Sequence, residues 1–102
     1  MSFNGNSYEN KKPHHLYIIF DKETGDLDKY GISSEPLEED GLSSRIKLQL
    51  DLFNRIAGWH RFYAEILYQD ISDRTTARQL EKKFINAYIE VYGHRPPGNK
   101  TS

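Results

Sequence analysis

Two charged residues stand where a helix would be expected to carry apolar ones. On a wheel advancing ~100° per residue, Ala77, Leu80, Phe84, Tyr88 and Val91 form one stripe, and Glu81 falls between Tyr88 and Ile85 inside it. Lys82 and Lys83 point away. A carboxylate on that arc needs a partner, a metal ion or a wet cleft, because lone burial of its charge is costly. Arg45 repeats the pattern. Leu42, Ile46, Phe53, Ile56 and Ala57 make a second stripe, with Arg45 at its edge beside Ile56. A guanidinium fork at a core edge suits bidentate recognition of phosphate or carboxylate. The plainer account is that Arg45 and Glu81 pair with each other. A hairpin adds Tyr17, Lys29 and Tyr30 around Gly31. Metal-assisted phosphodiester cleavage needs an oxygen ligand for a hard cation, a positive group for the phosphate and a group that handles the water's proton. Glu81, Arg45 and Tyr17 have the chemistry for those roles. A phenol of ordinary pKa, about 10, must either be depressed to act as a base or serve as a hydroxyl that only orients the water.

The elements that position these groups can be read in order. Residues 1–13 read as a flexible lead-in, and 14–102 as a single domain. The first strand covers about 15–20. DKETGD forms the hairpin turn, with Gly25 supplying positive φ, and the second strand covers about 27–33. The acidic run EPLEED reads as a solvated loop. A helix spans about 42–57, capped by Ser43 or Ser44 and stopped by Gly58. Leu48 and Leu52 sit further round it. Residues 60–71 alternate as a strand, with Phe62, Ala64, Ile66 and Tyr68 on one face and Tyr63, Glu65 and Leu67 on the other. A second helix begins near Ser72 or Asp73 and ends at Gly93, and HRPPGNKTS is irregular because of its prolines. The order ββαβα implies an α+β fold: a small three-stranded antiparallel sheet flanked by helices.

Composition narrows the classes. The chain has 102 residues, net charge −1, 28% charged residues and no cysteine. That excludes disulfides, thiolate metal sites and a thiol nucleophile, and it disfavours a wholly basic nucleic-acid binder. KKPHH and GHRPPGNK are locally basic, so a positive face would form if the two came together. No apolar run approaches the roughly 20 residues of a membrane helix. Four histidines, at 14, 15, 60 and 94, lack a zinc-ligand spacing. His15 and His60 remain accessory candidates for handling a proton, and Tyr30 is a third accessory candidate.

In order and spacing these residues resemble the GIY-YIG nuclease domain over residues 14–100. HLY holds the place of the first motif, with Tyr17 matching its tyrosine. KYG holds the second, with Gly31 matching its glycine. Arg45 in SSRIKLQL, Glu81 in LEKKFINAY and Asn99 in RPPGNK match the family's arginine, glutamate and asparagine. The first motif lacks its glycine and isoleucine, and Lys29 stands where the second usually has tyrosine. The resemblance implies hydrolysis of DNA with one Mg2+ or Mn2+ held by Glu81. It has Tyr17 activating or orienting water, Arg45 on the phosphate, Lys29 assisting near the nucleophile, Asn99 fixing local geometry, and Gly31 allowing close approach of the backbone. The tail GHRPPGNK is similar to the ends of GIY-YIG toxin domains of bacterial antagonism effectors. Such domains are carried by a secretion system into a rival's cytoplasm and neutralised by an immunity protein. An RNase, or an inactive partner-binding module on the same fold, are the alternatives.

Overall fold

A computed structural model describes residues 12–99. The expected lead-in therefore lies outside the described residues except for Lys12 and Pro13, and residues 100–102 lie outside them as well. The elements follow the order ββαβα: β1 (His14–Asp21), β2 (Asp26–Ser33), α1 (Ser44–Ala57), β3 (Phe62–Ile71) and α2 (Arg74–Tyr92). The sheet is antiparallel in the order β2-β1-β3.

Central position explains the composition of β1. Its apolar residues pack on both faces, so it reads as a continuous apolar run rather than an alternation. Leu16 and Ile18 pack with Tyr30, Ile71 and the α2 residues Ala77, Ile85 and Tyr88. On the other face Tyr17 and Ile19 pack with Ile46 of α1, joined by Leu50, Phe53, Phe62, Ala64 and Ile66. The hairpin turn is held by Asp21. Its carboxylate accepts from the Glu23 N–H at 2.9 Å and from Arg61 through Nε and Nη2 at 2.8 and 2.7 Å.

Both helices are capped as their sequences dictate. Ser43 Oγ accepts from the Ile46 N–H, and Asp73 accepts from the Thr76 N–H. Helix α1 thus begins at Ser44, so Leu42 precedes it. The acidic loop is folded over this end of α1. Glu35 accepts from Ser44 Oγ at 2.7 Å and from the Arg45 N–H at 3.2 Å, while Glu38 and Asp40 pair with Lys47.

Three expectations about faces are corrected. Tyr68 does not share a face with Ile66. Leu16 pairs with Tyr68 but Tyr17 with Ile66, so Leu67 is an extra residue, and Tyr68 turns to the α2 side against Phe84, 5.9 Å between centroids. Val91 is 74% exposed and Ile56 78%, so neither belongs to its stripe. A sheet of three strands at about 4.8 Å spacing is narrow and covers only part of each helix's apolar surface.

Candidate active site

Tyr17 is buried in the middle of β1, and its cross-strand neighbour on β2 is Gly31. Its ring lies across that glycine. A Cβ at position 31 would collide with Cζ and the hydroxyl and stand 2.8 Å from Cε1. The phenol therefore needs Gly31 to have anywhere to lie. At the far end of the ring, the hydroxyl donates to Gln49 Oε1 on α1 at 3.0 Å. Burial pushes its pKa up, Arg45 pulls it down and Glu81 pushes it up further, with a net rise. Arg45 and Glu81 thus act on the same phenol from the two helices. The rise keeps Tyr17 a neutral hydroxyl, which favours orienting water over removing its proton.

Glu81 is half-buried on α2, and burial raises its pKa against the opposing pull of Arg78 and Lys29. It lines a cleft of about 320 Å3 with Thr75, Arg78, Lys82, Asn86 and Arg95. Among the described residues no ion pair joins Glu81 to Arg45 or to any other cation. Arg45 is exposed rather than held in the core. Its neighbour at the edge of the apolar arc, Ile56, faces solvent.

Lys29 is fixed by an irregularity and a clamp. Ile19 pairs with Lys29 and Phe20 with Leu27, which leaves Asp28 as a bulge residue; bulges commonly re-aim side chains beside active sites. The outer edge of β2 is covered by the tail. The Gly98 N–H donates to Asp28 O at 2.7 Å, and Asn99 both accepts from the Tyr30 N–H at 2.8 Å and donates to Tyr30 O at 3.0 Å. Asn99 so imitates a neighbouring strand and shields an edge that would otherwise be open. Gly98 is required there, since a Cβ would meet Asp28 Oδ2 at 2.5 Å and Lys29 Cβ at 2.9 Å.

The accessory candidates are not brought together with these groups. Tyr30 is buried on the opposite face of the sheet, 5.5 Å from Phe84 between ring centroids. His60 is exposed and precedes Phe62, which pairs with Asp21, four residues along β1 from Tyr17. His15 shares Tyr17's face by strand alternation, but it lines a separate hollow with Glu35 and Asp70, and its Nε2 is buried without a partner. Burial and His14 lower its pKa. Sequence reasoning missed Gln49, Arg78 and Arg95. Gln49 lies one turn beyond Arg45 on the same helical row, which is a usable signal. Arg78 and Arg95 give none until the tail is seen folded back along α2.

Residues 7–93 match the family model described as URI fold toxin 2. The chain belongs to that family. It is therefore a toxin domain, and Tyr17, Lys29, Gly31, Arg45 and Glu81 lie within the matched span while Arg95 and Asn99 lie beyond it. Comparison with curated proteins and with solved structures gives no significant match.

The donor set around Glu81 bears on a metal ion. Among the described residues no cluster of three His, Cys, Asp or Glu side chains that could hold a metal ion exists. A single unpaired carboxylate opening on a cleft fits Mg2+ or Mn2+, since Mg2+ keeps several waters and takes one or two carboxylates plus substrate phosphate. No described helix is long and apolar enough to cross a membrane.

Proposed function

We propose that this toxin domain is a metal-dependent endonuclease of the GIY-YIG type acting on DNA. The observation that carries the reading is the Tyr17 phenol, buried over Gly31, whose ionisation is influenced by Arg45 on one helix and by Glu81 on the other. A phenol, a cation and a carboxylate in that relation match the needs of phosphodiester hydrolysis, which adds water across one P–O ester bond to leave a phosphate monoester and a hydroxyl.

Glu81 would hold the divalent ion, which when bound supplies Lewis-acid polarisation of the phosphate and stabilises developing charge. Arg45 is exposed and free of a carboxylate partner among the described residues, so its guanidinium is available for the negative oxygens. Tyr17 donates its own proton to Gln49 and keeps oxygen lone pairs with which to accept from the attacking water. Lys29 adds positive charge close enough to influence Glu81. Gly31 and Asn99 serve through the backbone of β2.

Membership in a toxin family supports delivery by a secretion system into the cytoplasm of a rival cell. It also supports a cognate immunity protein that protects the producer. Lys29 in the usual tyrosine position keeps an inactive binding module as the second reading. The test is incubation of the purified protein with plasmid DNA, and separately with tRNA, in Mg2+ or Mn2+. The expected outcome is cleavage of DNA that Glu81→Ala abolishes. Cleavage of tRNA alone would make it an RNase, and cleavage of neither with any divalent ion would leave the binding module.

A further inference from the structure

We propose that Arg78, Lys82 and Arg95 form a wall that grips the phosphate backbone of a nucleic-acid strand next to Glu81. The inference rests on the nuclease reading for what Glu81 does, but its own observation is the composition of the cleft. Three cations and one carboxylate line about 320 Å3, on a chain whose net charge is −1. That volume falls at the small end of ligand sites, roughly 300–1,000 Å3.

The three positive charges outnumber the single carboxylate, Glu81, that lines the cleft with them. No ion pair found among the described residues engages Arg78, Lys82 or Arg95. Arg78 and Lys82 are four residues apart on α2, a spacing at which like charges repel and weaken a helix. A chain that tolerates this repulsion beside an unpaired carboxylate presents a surface suited to an anion that brings a divalent cation with it. A phosphodiester strand with its metal ion has that chemistry, whereas a carboxylate ligand offers a weaker match to two guanidinium forks and an ammonium.

Arg95 is also presented from a fixed base. Pro96 beside it is fully buried, and Gly98 and Asn99 bind the edge of β2. The tail thus holds one cation opposite the α2 ridge that carries the other two. Phosphate contacts of this kind position a strand without reading its sequence.

The experiment uses the full chain, fluorescein-labelled 20-nucleotide single and double strands, and Arg78→Gln/Arg95→Gln beside the parent. Binding by anisotropy is measured in metal-free buffer over a salt series, and cleavage is measured in Mg2+. The parent is expected to bind with a steep salt dependence, and the double variant to lose about one unit of log–log slope per removed cation. KM should rise about tenfold or more, with kcat changed far less and the thermal melt unchanged. An unaltered salt slope and KM in a variant of a cleaving parent would overturn the wall and leave the nuclease intact. Charge-dependent binding by a parent that never cleaves would retain the wall and discard the nuclease. A parent that does not bind either strand would overturn the wall.

Discussion

At Tyr17 the proposed chemistry depends on a hydroxyl that stays protonated. Burial and Glu81 raise its pKa more than Arg45 lowers it, so the neutral form persists through neutral pH and beyond the ordinary value near 10. Tyr17→Phe keeps the ring over Gly31 and removes only the oxygen. We expect it to fold like the parent and lose about 10²–10⁴-fold in kcat, with the parent's pH–rate profile showing no limb for loss of this proton below pH 10. Gly31→Ala should do more. Its new methyl group occupies ring space, and overpacking of that kind costs about 1–3 kcal/mol. A lowered Tm by calorimetry together with lost cleavage would be the signature. These residues were legible to different degrees. Tyr17, Gly31 and Glu81 stood out through position and motif. Arg45 was found for a mistaken reason, since Ile56, its apolar neighbour on the wheel, is exposed. Gln49 was not found: its place one turn beyond Arg45 was the only signal, and it does not by itself point to a phenol 32 positions earlier.

The elements were largely readable, because alternation, helical spacing, capping residues and stop glycines agree with one another along the chain. What could not be read was how far each element overlaps its neighbour. The bulge at Leu67 flips Tyr68 without any local signal, and Ile56 and Val91 are apolar yet exposed. The hairpin end of the sheet carries its own pH dependence. Asp21 is buried and held below its usual range chiefly by its hydrogen bonds with Arg61, aided by the Glu23 amide. Its contribution is full above the unfolded carboxylate value and disappears as pH falls through the depressed folded value. Asp21→Asn should therefore lower stability near neutrality and flatten the acid limb of a pH–stability curve. An unchanged acid limb in urea titrations would exclude this pair as its source.

For the whole molecule, the net charge of −1 says little, because it averages an acidic loop engaged by Lys47 with a cationic cleft on α2. The tail 93–99, irregular in sequence, completes both the sheet edge and that cleft. Asn99→Ala would strip both backbone partners from Tyr30. Leaving such buried groups unsatisfied costs about 1–3 kcal/mol. We expect reduced stability, faster amide exchange at Tyr30, and weakened cleavage through a loosened Lys29.

Distance along the chain gives that clamp a temporal meaning. Tyr17 leaves a ribosome or a secretion channel long before residues 95–99 when the chain emerges from its N-terminus. Until those residues follow, β2 lacks its outer partner and the cationic wall lacks Arg95. On the nuclease reading, assembly of the proposed site is thereby tied to the emergence of residues 95–99, a delay that operates without any inhibitor.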